Sequence, residues 1–142
     1  MEPAFWDSSS LVPLCVQQQA TLIAEAMSKK YGMLVWWAAP VEVRSAFARL
    51  IRMGQLTSEG QVQAQVVLQD LRCKWSEVHP SNEIRSQAEH LVGRFPLRSA
   101  DALQLAGALA WCSGRPRNRA FISGDVQLLD AAVQLGFMAV RT

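Results

Sequence analysis

Apolar and polar residues along the chain alternate between two patterns: short, nearly unbroken apolar runs, and longer stretches in which apolar residues recur at helical spacing. The first run, Pro3-Ala4-Phe5-Trp6, stops at Asp7 and is followed by Ser8-Ser9-Ser10. This is the pattern of a buried strand ending near Asp7 and giving way to a helix cap. From Leu11 to Met27 the spacing predicts one helix, closing at Ser28-Lys29-Lys30-Tyr31-Gly32 with the cations and glycine that a helix C-terminus favours. Met33-Leu34-Val35-Trp36-Trp37-Ala38 then predicts a second strand, which Pro40 ends. Val41 to Met53 is helical, with Val43, Phe47, Leu50 and Ile51 on one face, Glu42 in the first turn and Gly54 at the end.

Ser58 to Lys74 predicts a long amphipathic helix with Val62, Val66, Leu68 and Leu71 as its apolar positions. Trp75 to Pro80 fits a short edge strand, where a terminal proline is tolerated. A helix over Asn82–Phe95 follows, and then an Ala/Leu/Gly-rich helix over Ala100–Trp111, capped by Ser99 and carrying Asp101 in its first turn. That composition predicts close packing on a sheet. Ala120–Ser123 is a strand ending at Gly124-Asp125, Val126–Leu135 a helix closed by Gly136, and Phe137–Val140 a last strand. Strands alternating with helices in this way predict an α/β fold, a three-layer α/β/α sandwich around a central, mostly parallel sheet.

Composition narrows the picture little further. A chain of 142 residues, half of them hydrophobic, suffices for one domain, expected to span 1–142. A formal charge of +2 is too small to mark a nucleic-acid-binding surface by itself. Three scattered cysteines, Cys15, Cys73 and Cys112, support neither a disulfide framework nor a zinc site, and fit a reducing, cytoplasmic setting. No signal peptide and no apolar run of membrane-spanning length is evident, so a soluble protein without membrane contact is expected.

The chemistry lies in where the acids fall. In a doubly wound sheet, ligands bind outside the carboxyl ends of the strands. Asp7, Glu42 and Asp125 each follow a predicted strand closely, which brings all three to that edge, and Asp101 opens a helix able to reach it. Carboxylates gathered in a partly desolvated pocket repel one another unless cations neutralise them or some stay protonated. A hard divalent cation, Mg²⁺ or Mn²⁺, suits an all-oxygen donor set with no histidine or cysteine nearby. Such a centre activates water and clamps phosphate oxygens, which points to phosphodiester hydrolysis. The remaining acids, Glu25, Glu59, Asp70, Glu77, Glu83, Glu89 and Asp130, fall among polar neighbours and read as solvated faces.

Four segments also resemble, in order, the signature segments of PIN domains: Phe5-Trp6-Asp7-Ser8-Ser9-Ser10-Leu11-Val12, Pro40-Val41-Glu42-Val43, Leu97 to Ala106 around Asp101, and Phe121-Ile122-Ser123-Gly124-Asp125-Val126-Gln127-Leu128-Leu129. The resemblance runs from Ala4 to Val140, and the chain's size is similar to that of VapC toxins of VapBC toxin–antitoxin systems. It implies an endoribonuclease using one or two Mg²⁺ or Mn²⁺ ions, with Asp7, Glu42, Asp101 and Asp125 binding metal or positioning water. Ser123 matches the hydroxyl residue that often precedes the last acid and orients it, and Ser8 is a candidate of the same kind. The resemblance further implies a structured RNA substrate of the tRNA or rRNA class, a small VapB-like antitoxin whose C-terminal segment blocks the site, and a homodimer. Trp6 and the Trp36-Trp37 pair are bulkier than the aliphatic residues usual in those strands.

Other readings are weaker. A phosphoacceptor receiver domain needs a late-strand lysine, and none follows Lys74; neither GxxxxGK[ST] nor GxGxxG occurs. A non-catalytic PIN-like module binding RNA or protein is the alternative from a different class. The basic loop Arg115-Pro116-Arg117-Asn118-Arg119 precedes a strand and so belongs at the opposite edge. Arg44 and Arg98 are better placed for a phosphate or an antitoxin carboxylate, or serve as surface ion-pair partners. His79 and His90 are isolated, and the tryptophans read mainly as core or interface filling.

Overall fold

The computed structural model describes residues 1–142. Five strands, β1 (Glu2–Trp6), β2 (Tyr31–Trp36), β3 (Ser76–Val78), β4 (Ala120–Ser123) and β5 (Met138–Arg141), form one sheet in the order β3-β2-β1-β4-β5. All four pairings are parallel. The seven helices are α1 (Ser8–Cys15), α2 (Thr21–Lys30), α3 (Ala39–Arg52), α4 (Ser58–Lys74), α5 (Asn82–Arg94), α6 (Ser99–Trp111) and α7 (Val126–Leu135). None is long and apolar enough to cross a membrane.

Side chains alternate across a pleated strand, and both faces of this sheet are covered. Phe5, Trp36 and Phe121 face a core built with α5, α6 and α7, while Ala4, Trp6, Val35 and Ile122 face a second core built with α1, α3 and α4. Phe5 and Phe121 stack with centroids 5.5 Å apart. This is the three-layer sandwich that the alternation of elements implies. Strand order reverses between β1 and β4: the chain builds outward from β1 through β2 to β3, then crosses back to lay β4 on β1's other side. A crevice opens at the carboxyl end of a sheet at such a reversal.

Several local expectations change. The helix expected over Leu11–Met27 is two helices separated at Val16–Ala20. Pro13 removes a backbone donor from the last turns of α1, and the glutamines 17–19 have no apolar side chain to bury. The Thr21 hydroxyl ties the bend together, accepting from the Gln18 amide at 2.8 Å and donating to the Pro13 carbonyl at 2.8 Å. Tyr31 and Gly32 do not close a helix but begin β2, where Gly32 pairs with Pro3. In α4 the buried positions are Ala64 and Leu68; Val62 and Val66 are exposed. Small Ala64 lets the helix approach, so the apolar stripe lies to one side of the valines. Arg98, not Ser99, is the N-cap of α6, which leaves Asp101 in the first turn.

The Gly/Ala composition of α6 has a steric cause. A Cβ at Gly107 would lie 3.1 Å from the Trp36 ring and 3.6 Å from Phe5. Gly107→Val should therefore lower stability by about 1–3 kcal/mol, or roughly 2–12 °C in Tm. Gly107→Ala should stay near neutral, because the helix-propensity gain of about 1 kcal/mol opposes the tight contact. Thermal melts of the two variants check this; equal losses would mean that the helix–sheet spacing is not what excludes the side chain.

Candidate metal centre

Each acid reaches the crevice by a different local device. Asp7 directly follows β1, its backbone N–H bonded to the Ile122 carbonyl at 2.9 Å, and is only 4% exposed. Glu42 lies in the first turn of α3, after the short Trp37-Ala38 connection from β2; its amide bonds to the Ala38 carbonyl at 3.1 Å. Asp101 lies in the first turn of α6. Asp125 follows β4 and caps α7, its Oδ1 accepting from the amides of Gln127 at 2.9 Å and Leu128 at 3.2 Å. All four line a single cavity of about 270 Å³, together with Ser8, Ser9 and Arg49.

Hydroxyl and amide groups hold the deeper acids. Ser9 and Ser123 both donate to Asp7 Oδ2, the latter at 2.8 Å. The Ser123 hydroxyl in turn accepts the Asp125 amide at 2.9 Å, so one serine links the acids after β1 and β4. Glu42 Oε1 accepts from the Ser8 hydroxyl at 2.8 Å and from Gln104 Nε2 at 2.7 Å. Gln104, on α6 and 1% exposed, also donates to Ser8 Oγ at 2.8 Å, while its buried Oε1 has no partner.

The electrostatics follow from this crowding. Burial pushes the Asp7 carboxyl above its ordinary range, against the lowering pull of the Ser9 and Ser123 hydroxyls, and the charge of Glu42 pushes the same way. Burial also raises Glu42; its bonds from Ser8 and Gln104 oppose the rise and the Asp101 charge adds to it. Asp101 is raised by burial first and then by Asp7 and Asp125, with partial relief from Arg98. The acids are thus near enough to feel one another. As the side chains stand, no three of the four present oxygens closely enough to grip one ion. Asp7, Glu42 and Asp125 are each hydrogen-bonded to a local donor rather than turned toward a common point. The donor set is all oxygen, without histidine or cysteine in the cavity, and a hard divalent cation would offset the burial, and with it the mutual repulsion, that raises three of the pKa values.

Gln104, Ser9 and Arg49 were not singled out from the sequence. The signals existed: Gln104 is an isolated polar residue in an apolar helix, three positions after Asp101 and so on nearly the same face. Arg49 is seven positions after Glu42 and shares its face likewise. Arg44, favoured for a phosphate contact, is exposed and outside the cavity, whereas Arg98 acts on Asp101. Trp6 and Trp36 fill the two cores, but Trp37 is half exposed. Arg119 stacks over Trp111, and its carbonyl accepts from the Met138 amide at the amino-terminal side of the sheet, away from the acids.

An acidic cavity thus lies at the strand-order reversal of a fully parallel five-stranded α/β/α sandwich, a PIN-like fold. Solved structures share it. The chain superposes on one from a toxin–antitoxin complex of Klebsiella pneumoniae with a TM-score of 0.61 and 16% identity, over 87% of this chain and 88% of that one. For PAE2754 of Pyrobaculum aerophilum the TM-score is 0.67 at 16% identity, over 99% and 92%. For VapBC2 of Rickettsia felis, bound to a DNA fragment from its promoter, it is 0.65 at 10% identity, over 96% and 97%. No family model matches the sequence, and no curated protein is detectably similar to it.

Proposed function

We propose that this chain is a metal-dependent endoribonuclease, the toxin of a type II toxin–antitoxin pair. The observation that carries the reading is the meeting of Asp7, Glu42, Asp101 and Asp125 in one cavity at the sheet's carboxyl edge. Asp7, Glu42, Asp101 and Asp125 would hold one or two Mg²⁺ or Mn²⁺ ions, which supply Lewis-acid activation of water and neutralisation of phosphate charge. Ser123 orients the Asp7 carboxylate through its 2.8 Å hydrogen bond. Gln104 and Ser8 fix Glu42 in the same manner. Asp101 carries no hydrogen bond from another side chain, which leaves it able to turn toward an ion or to accept a proton from the attacking water. Arg49 lends positive charge to the cavity wall, suited to a phosphate oxygen. The substrate is RNA, of the structured tRNA or rRNA class.

The toxin assignment is supported by the fold shared with chains from two toxin–antitoxin structures. A VapB-like antitoxin and a homodimer interface both require apolar surface, and Val62 and Val66, one turn apart on α4, are exposed. A cytoplasmic location accords with such a role. The alternative, a non-catalytic PIN-like module, draws on the present spread of the carboxylates, none of which shares an ion-binding point with two others.

One test separates these readings, and a second tests the ligand set. Purified protein should cleave cellular RNA with Mg²⁺ or Mn²⁺ and stop with EDTA; metal uptake without cleavage of any RNA would favour the module. Gln104→Leu should keep the fold, since it removes an orphaned acceptor along with the donor. It should weaken Mn²⁺ binding roughly 10- to 100-fold by releasing Glu42, as read by calorimetric titration. Unchanged Mn²⁺ affinity would mean that Glu42 is not a ligand.

A further inference from the structure

A second cavity, of about 470 Å³, opens on the same edge of the sheet beyond α6. It lies where β2 and β3 end: Trp36 and Trp37 form one side, Asn82 and Arg85 of α5 another, and Leu103 of α6 the third. Trp36 is buried in the core, whereas Trp37 is 52% exposed, the most exposed aromatic side chain in a chain whose other tryptophans are buried or half-buried. Its backbone is fixed by an amide bond to the Val78 carbonyl at 3.0 Å, so the ring is held at the rim by the sheet itself. Arg85 donates to Asn82 Oδ1 at 3.0 Å, one turn earlier on α5, which puts an amide and a guanidinium side by side at the cavity's polar margin.

Two links join this cavity to the carboxylates. Ala38, in its wall, accepts the Glu42 amide. Leu103 lies two positions after Asp101, about 200° around α6, so the first turns of that helix face the acids on one side and the tryptophans on the other. Resting on the nuclease reading above, we propose that this cavity is a nucleobase subsite, in which an unpaired base next to the scissile phosphate stacks on Trp37 while Asn82 and Arg85 meet its edge. Single-stranded RNA is recognised in this way, bases splayed onto aromatic faces and read at their edges by polar side chains. The chemistry of the lining fits that ligand: an apolar floor, one presented indole and a margin of donors, one of them cationic toward phosphate. A partner polypeptide laying an aromatic residue there is the competing occupant.

The test uses Asp7→Asn protein, expected to bind without cutting, and a fluorescein-labelled ten-nucleotide single-stranded RNA of mixed sequence in Mg²⁺. Adding Trp37→Ala should weaken binding roughly 5- to 100-fold, and Trp37→Phe should restore most of it, as expected for stacking. An oligonucleotide made wholly of abasic sites should bind both Trp37 forms equally. Trp37→Ala in the otherwise unaltered chain should keep its melting temperature and its Mn²⁺ affinity while its KM for RNA rises. Equal affinity of Trp37→Ala and parent for the RNA, with metal-dependent cleavage intact, would overturn the subsite alone. Loss of binding to a purified antitoxin with RNA affinity unchanged would assign the cavity to protein. Absence of metal-dependent cleavage in the unaltered chain would remove the nuclease reading and the subsite with it.

Discussion

Asp7→Asn should reduce metal-dependent RNA cleavage by on the order of 10³-fold or more, while the protein remains folded. Asp7 is the most buried of the four acids and directly follows β1, at the reversal of strand order between β1 and β4. Its Oδ2 gathers two serine hydroxyls, and an asparagine oxygen can accept the same bonds, so the fold loses little. What is lost is charge: a neutral amide is a far poorer ligand for a hard cation. Single-turnover cleavage of total RNA at matched metal concentrations, with circular dichroism as the control for folding, reads both effects. A variant that cuts within a few-fold of the parent would remove Asp7 from the reaction.

The second large effect is on stability. Asp7, Glu42 and Asp101 all have pKa values raised in the folded protein, chiefly by burial. A carboxyl with a higher pKa folded than unfolded holds its proton more tightly in the native state. The stabilisation it gives is present below the unfolded value near 4 and is lost as pH rises through the raised one. Metal-free protein should therefore melt at progressively lower temperature from mildly acidic pH upward, and Asp101→Asn should flatten that slope. Divalent ions compete with the same protons, so their effect should grow with pH. At 100 times the dissociation constant, Mn²⁺ should add about 2.7 kcal/mol, roughly 5–11 °C in Tm. Thermal melts across pH with EDTA or Mn²⁺ decide this: a slope of the opposite sign, or no response to Mn²⁺ at any pH, would show that the acids are not a strained cation site.

Much of the fold was legible because the apolar runs are short and their stops are chemically distinct. Phe121-Ile122-Ser123 followed by Gly124-Asp125, and Leu135 followed by Gly136, mark their boundaries plainly, and α4, β4 and α7 fall where the pattern puts them. The break between α1 and α2 was not legible, because helical spacing carries across it and the Thr21 hydroxyl that fixes the bend bonds only to backbone groups. Nor could periodicity tell that Ala64, the smaller residue, turns inward in place of Val62 and Val66. At the site, the four acids were evident from strand ends and helix starts. Gln104 and Arg49 carried only weak signals, their helical spacing from Asp101 and Glu42; that the Gln104 amide meets Glu42 becomes visible only once α6 is packed beside α3. Trp37 shows the same limit: adjacent to buried Trp36 in the sequence, it lies past the end of β2, where the pleat no longer decides its side.

The most direct test of the account is where a divalent ion goes. In crystals grown with Mn²⁺, anomalous scattering should show at least one ion with oxygens from three or more of Asp7, Glu42, Asp101 and Asp125 at roughly 2 Å, their side chains turned inward from the positions described above. Saturating Mn²⁺ that leaves the cavity empty, or that is held there by one carboxylate alone, would contradict it.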